Sequence, residues 1–170
     1  MKHITYKGKY LEVTEEDVNN HTYERVVLRP GVRVYPVKED AVLMIHEFRN
    51  HEGVTRWKFI GGWMDKEGKT ELEIAKEELL EEVGMKSDNW EKFHVFDTGE
   101  ATVGIRSTFF IARNPVAVTL PPLNPDQDRV IESRWVTLEE LWRVVDAKEI
   151  WWDYDAFAAI QVLRYLAKKQ

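Results

Sequence analysis

The stretch GGWMDKEGKTELEIAKEELLEEVGM, residues 61–85, joins a double glycine, a polar turn and a glutamate-rich segment. Apolar residues recur in it at a spacing near the helical period, at Leu72, Ile74, Ala75, Leu79, Leu80 and Val83. Gly84 follows where a helix C-cap is expected. The pattern therefore predicts a helix over residues 70–83, directly behind a glycine turn.

This predicted helix is strongly acidic. Six glutamates and one lysine, Lys76, lie between Glu71 and Glu82, although each like-charge pair four residues apart costs about 0.2–0.5 kcal/mol. Glu78, Glu81 and Glu82 project from one helix face within about a 100° arc. Three such carboxylates suit a hard divalent cation such as Mg²⁺ or Mn²⁺. A solvated acidic face is the alternative for the helix taken alone.

Composition limits the classes of function. A chain of 170 residues fits one compact unit with a core. Its net charge of -6 and pI near 5.5 argue against a general nucleic-acid surface, which needs clustered Lys and Arg. The absence of cysteine excludes disulfides, thiolate zinc sites and a cysteine nucleophile. Without a signal core or an apolar run of about 18 residues, we expect no membrane segment and a cytoplasmic location.

The flanking sequence alternates strand-like and helical patterns. Runs at 4–6, 10–13 and 23–28 predict a small antiparallel appendage over residues 1–30. Further strands are expected in the domain of residues 31–170, at 32–37, 41–45, 57–60, 93–96 and 107–112. Thr137 opens a capping box, and residues 154–167 are amphipathic enough for a closing helix. This order favours the α/β class, with a mixed sheet covered on both sides by helices.

The double glycine and the segment 78–85 together resemble the Nudix box, GX5EX7REUXEEXGU with U aliphatic. The segment Glu78-Leu79-Leu80-Glu81-Glu82-Val83-Gly84-Met85 matches it throughout, while Glu77 takes the place of the preceding Arg. In the first half the early Glu of the box falls on Lys69, and the turn 63–68 is one residue longer. The resemblance implies a Nudix-type α/β/α sandwich and a metal-dependent pyrophosphohydrolase.

The two departures from the box carry exchanged charges. Where the family has Glu and Arg, this chain has Lys69 and Glu77, which suggests a swapped ion pair that fastens the turn to the helix. Residues eight apart in one straight helix would be about 12 Å apart along its axis, so the hypothesis requires Lys69 to lie in the turn. Two unrelated surface charges are the alternative.

Beyond the box, the chain is similar to the ADP-ribose pyrophosphatase branch of the family. The shared features are the N-terminal strand appendage, Arg29-Pro30-Gly31, Phe48-Arg49, and an acidic loop before Trp135-Val136. This resemblance implies a small nucleoside diphosphate derivative as substrate, ADP-ribose or a nucleotide sugar, and a homodimer paired through the appendage. The branch has an acidic residue and Pro or Ala where this chain reads Trp57-Lys58-Phe59-Ile60-Gly61. CDP, GDP and UDP derivatives and dinucleotides therefore stay open.

The resemblance also assigns roles at the metal site. Glu78, Glu81 and Glu82 would be catalytic metal ligands, the backbone carbonyl of Gly61 a further ligand, and Mg²⁺ the cofactor, with Mn²⁺ possible. The general base would be one of these glutamates or an acid of the late loop, where Asp126, Asp128 and, preferentially, Glu132 are candidates.

Four residues are candidate substrate contacts. Arg49 would bind phosphate, for which a planar guanidinium is well suited. Arg25 on the appendage would touch the nucleoside bound by a partner subunit. Trp57 and Trp63 flank the glycine turn and would stack on a base or ribose, with ordinary packing as the alternative.

A non-hydrolytic nucleotide sensor or scaffold of the same fold is the alternative function, because two charged positions of the box are changed. Retention of Glu78, Glu81 and Glu82 together favours the enzyme, since a retired enzyme has no chemical need for all three. A purely structural acidic module would explain the helix but not its flanks.

Overall fold

A computed structural model of the chain describes residues 2–50, 52–99, 102–119, 129–150 and 153–167. The helices within these ranges are α1 Glu71–Val83, α2 Leu138–Asp146 and α3 Asp153–Ala167. The strands are β1 Lys2–Lys7, β2 Leu11–Val18, β3 His21–Leu28, β4 Gly31–Lys38, β5 Ala41–Arg49, β6 Val54–Lys58, β7 Ile60–Trp63, β8 Met85–Lys86, β9 Asn89–Asp97, β10 Val103–Gly104, β11 Arg106–Arg113, β12 Val116–Ala117 and β13 Arg129–Val136.

A seven-stranded mixed sheet forms the centre of the molecule. Its strands run in the order β13-β5-β4-β11-β9, with β6 paired to β5 and β7 paired to β4. The β4 and β11 strands are parallel, whereas β5 is antiparallel to β4, β6 and β13. The mixed sheet predicted from the sequence is confirmed.

Helices cover both faces of this sheet, because successive strand residues point to opposite sides. On β5, Leu43 and Ile45 belong to the apolar cluster that contains the buried face of α1. Val42 and Met44 belong to the cluster on the other face, which contains buried residues of α2 and α3. The result is the predicted α/β/α sandwich. None of the described helices is both long and apolar enough to span a bilayer.

The α1 helix begins and ends as the sequence predicts. Thr70 is its N-cap and forms a capping box with Glu73, while Gly84 closes it at φ 64°, in the left-handed region. Ile74, Ala75 and Leu79 are fully buried against the sheet. Lys69 therefore lies in the turn before the helix, as the ion-pair hypothesis requires.

The first three strands form a separate sheet in the order β1-β2-β3-β10. The β10 strand, which comes much later in the chain, joins it parallel to β3, with Val103 opposite Val26. This contact was not foreseen, and it attaches the N-terminal strands to the rest of the molecule. A domain boundary at residue 30 and pairing of two subunits through these strands stay predictions.

The proline-rich segment after β11 is described only in part. Its β12 strand pairs with β8. Asp126 and Asp128, two candidate bases, lie outside the described residues.

Candidate active site

Two glycines on β7 bring this strand unusually close to its neighbours. A Cβ atom on Gly61 would lie 2.3 Å from the carbonyl oxygen of Val32 on the paired strand β4. A Cβ atom on Gly62 would lie 2.2 Å from Oε1 of Glu78 on α1. The carboxylate of Glu78 thus occupies space that any other residue at position 62 would fill.

Glu78 is held in an environment that disfavours its charge. Burial, together with the negative charges of Glu82 and Glu81, raises the pKa of Glu78 to about 7. Near neutral pH the carboxylate therefore exists in both protonation states. A bound cation in place of the proton would compensate both the cost of burying the negative charge of Glu78 and its repulsion by Glu82 and Glu81.

Glu82 lies beside the glycines and is held by two donors. Its Oε2 accepts a hydrogen bond of 3.2 Å from the backbone N–H of Gly61, and its Oε1 accepts one of 2.9 Å from Nζ of Lys58. The same ammonium donates to Oε1 of Glu47 at 3.0 Å. Although burial opposes it, the charges of Glu82 and Glu47 raise the pKa of Lys58, so this lysine stays cationic.

The turn before α1 supplies two further lysines. Lys66 donates to Oε2 of Glu77 at 2.9 Å and to Oε1 of Glu81 at 3.1 Å. Lys69 donates to the other oxygen of Glu77, so the contact predicted from the exchanged charges is present. Hydrogen bonds from Lys69 and Lys66 lower the pKa of Glu77. The second lysine, at position 66, was not foreseen.

The donor set can be compared with the needs of a divalent cation. Within the described part of the chain, no three acidic or histidine side chains already surround one point as metal ligands do. Glu81 is held by Lys66 and Glu82 by Lys58, but Lys66 is one-third exposed and can move aside. Oxygen donors, the space over Gly62 and the unfavourable charge of Glu78 fit a hard cation. Gly61, whose carbonyl is the fourth predicted ligand, is next to Gly62 on β7.

Arg49 joins this cluster through Glu47. Its Nε lies 2.9 Å from Oε2 of Glu47, whose other oxygen binds Lys58. A chain of alternating charges thus runs from Arg49 to Glu82. The phosphate contact predicted for Arg49 is untested by these contacts and stays a prediction.

The other predicted substrate contacts have structural partners. Trp57 is only 6% exposed, stacks on His46 at a centroid distance of 4.6 Å and has the guanidinium of Arg134 at 5.1 Å. Arg25 donates to the carbonyl of Gly99. The substrate roles of Trp57 and Arg25 stay predictions. Trp63, which is 40% exposed beside Gly62, is the more accessible aromatic residue.

Glu132 lies on β13, opposite His46 of β5, rather than in the loop before that strand. Its exposed carboxylate pairs with Arg134 at 3.2 Å. Its role as a general base stays a prediction.

The site thus consists of an acidic helix held beside a double glycine, on a sheet that helices cover on both faces. The crystal structure of an ADP compounds hydrolase has the same fold, with a TM-score of 0.76 at 18% identity over 100% of this chain and 93% of that chain. The ADP-ribose pyrophosphatase of Bacillus subtilis (strain 168) is 28% identical over 175 residues, which cover 99% of this chain and 91% of that protein.

A family model described as the NUDIX domain matches residues 27–160. The chain belongs to the NUDIX domain family. The family and the enzyme class predicted from the sequence are confirmed.

Replacement of the two glycines should separate stability from metal binding. In Gly61→Ala the new Cβ meets backbone, so we expect a lower thermal midpoint. In Gly62→Ala it meets the flexible end of Glu78, so the protein should fold but bind Mn²⁺ roughly 10–100-fold more weakly, as when a group that orients a ligand is lost. Thermal unfolding and Mn²⁺ calorimetry measure the two effects. Unchanged Mn²⁺ affinity in Gly62→Ala would contradict the placement of Glu78.

The raised pKa of Glu78 should appear in the stability of the metal-free protein. The folded state binds this proton more tightly than the unfolded chain, for which the ordinary value is 4.5, so its contribution to stability is lost as pH rises from 4.5 through about 7. In EDTA, Glu78→Gln should therefore raise the thermal midpoint more at pH 8 than at pH 5. Glu67→Gln, which removes an exposed carboxylate from the turn, is the control. Equal shifts at both pH values would argue against a buried Glu78.

Charge reversal tests the contact between turn and helix. We expect Lys69→Glu and Glu77→Arg each to lower activity, because each places like charges together, and the double variant to recover much of the loss. The effect on stability should be small, since the pair is exposed and screened by solvent. Initial rates and urea unfolding of all four proteins provide the measurement. If the singles and the double behave alike, the pair has no role.

Proposed function

We propose that the protein hydrolyses the diphosphate linkage of a nucleoside diphosphate joined to a second group, with ADP-ribose as the first candidate. The observation that carries the proposal is the position of Glu78, Glu81 and Glu82 on the α1 face beside Gly61 and Gly62. The Bacillus subtilis relative, named an ADP-ribose pyrophosphatase, supports the choice of substrate.

The proposed cofactor is Mg²⁺, with Mn²⁺ as a substitute, held by Glu78, Glu81, Glu82 and the carbonyl of Gly61. When bound, such an ion neutralises negative charge on the phosphoryl oxygens and lowers the pKa of a coordinated water. Oxygen-only donors favour these hard ions.

The reaction adds one water across the P–O–P bridge. The water oxygen bonds to one phosphorus, the bridging P–O bond breaks, and two phosphate monoesters leave; from ADP-ribose these are AMP and ribose 5-phosphate. We propose that the guanidinium of Arg49, which contacts Oε2 of Glu47 through Nε, donates to a phosphate of the substrate. The N–H of Gly61 orients Glu82 through Oε2. We propose one of the α1 glutamates, or Glu132, as the base that accepts the proton of the water.

The remaining predictions belong to the same proposal. Two subunits would pair through the N-terminal strands in the cytoplasm, and Arg25 would then reach the nucleoside bound by the partner. Trp63, beside the double glycine, is the aromatic side chain with surface available for stacking on a base.

A phosphatase-coupled screen tests the function. Alkaline phosphatase releases inorganic phosphate from monoester products but not from an intact diphosphate diester, so ADP-ribose, nucleotide sugars and dinucleotides give signal only after cleavage. Nucleoside triphosphates are followed by chromatography, and so are the reactions in EDTA, because EDTA also inactivates alkaline phosphatase by removing its metal ions. We expect turnover with Mg²⁺ or Mn²⁺ and none with EDTA. Tight nucleotide binding without turnover of any substrate would support the sensor alternative.

Glu82→Gln tests the assigned site. The variant keeps an oxygen beside Gly61 but loses the charge, and we expect kcat to fall by about 10²–10³ or more, as when one preorganised electrostatic group is removed. Glu67→Gln should retain the activity of the wild type. Near wild-type turnover in Glu82→Gln would show that Glu82 is not a metal ligand.

A further inference from the structure

A buried ammonium lies between the buried carboxylate of Glu47 on β5 and the partly buried carboxylate of Glu82 at the end of α1. The Lys58 side chain is 11% exposed, and the side chains of its partners Glu47 and Glu82 are 5% and 16% exposed. Nζ is 3.0 Å from Oε1 of Glu47 and 2.9 Å from Oε1 of Glu82. The ammonium of Lys58 contacts one oxygen of each carboxylate, and it therefore occupies a position in which a metal ion could also bind.

The strand register places these groups on the α1 side of the sheet. On β5 the buried Ile45 faces α1, and two residues on, Glu47 continues the same face. Lys58 of β6 is directly opposite Ile45 in the pairing, so it points to that face as well. The C-terminal end of α1 then brings Glu82 onto the pair.

Lys58 contacts one of the two carboxylate oxygens of Glu82. Its ammonium takes Oε1, while Oε2 stays on the side of Gly61. Without a cation, Glu47 and Glu82 would be two like charges in a poorly solvated space, which is strongly unfavourable. Arg49, at Oε2 of Glu47, offsets part of this charge, and Lys58 is the cation that joins Glu47 to Glu82.

We propose that Lys58 is a built-in cation that fills the space between Glu82 and Glu47 and keeps a divalent ion out of it. Glu47 is thereby excluded as a metal ligand, and Glu82 offers the metal one oxygen, Oε2. Lys58 is thus a positioning residue that limits how many divalent ions the site holds before substrate arrives. The inference rests on the proposed metal site.

Counting of bound Mn²⁺ by electron paramagnetic resonance tests this role. Lys58→Met removes the charge at similar length and leaves Glu47 and Glu82 facing each other, so we expect one more Mn²⁺ per chain than in the wild type. Lys58→Met with Glu47→Gln removes the new carboxylate partner, and the count should return to that of the wild type. Lys58→Arg, which keeps a cation, and Lys76→Met, on the exposed side of α1, should match the wild type.

Thermal unfolding gives a second readout. Metal-free Lys58→Met should unfold at a lower temperature than the wild type, and Mn²⁺ should raise its midpoint more than it raises that of the wild type. An unchanged Mn²⁺ count in Lys58→Met, or a variant that Mn²⁺ fails to stabilise, overturns the inference.

The two proposals fail in different ways. If the wild type binds Mn²⁺ and cleaves a substrate of the panel but Lys58→Met gains no ion, only the role of Lys58 is wrong. If the wild type neither binds Mn²⁺ nor cleaves any substrate, the proposed function itself is wrong.

Discussion

The packing of α1 on the central sheet is the constraint on which the site depends. Ile74 and Leu79 bury one face of the helix, and the side chain next to Leu79 is Glu78, which is carried to the edge of that buried face. There it meets β7 at Gly62, where only the absence of a Cβ leaves room for the carboxylate. The apolar packing and the double glycine thus act together, since the first fixes the depth of the helix and the second makes that depth possible.

Two lysines with different freedom balance the carboxylates of this face. Lys58 is buried, and loss of its charge would leave the carboxylates of Glu47 and Glu82 without the cation that joins them. Lys66 is one-third exposed on a turn, and its contact with Glu81 is screened by solvent, so it can exchange for another cation at little cost. Glu82 is therefore paired with a lysine that is fixed in place, and Glu81 with a lysine that another cation can replace.

Sequence patterns predicted the parts of the fold that are encoded locally. Helix α1 was found because its N-cap Thr70, its apolar spacing and Gly84 all lie within one short segment. The contact of β10 with β3 and the meeting of Lys58 with Glu47 depend on which strands pair and in which register, and no local signal fixes these. The stacking of Trp57 on His46 shows the same limit, because it depends on the pairing of β6 with β5.

The departures from the Nudix box are connected by their charges. A turn that is one residue longer carries both Lys66 and Lys69, and both contact Glu77. An arginine at position 77, as in the family pattern, would face two like charges, whereas the glutamate attracts both lysines. Conversely, a glutamate at position 69 would be repelled by Glu77. The exchanged signs therefore preserve a contact between turn and helix, and this contact keeps the turn next to the helix face that carries Glu78 and Glu81.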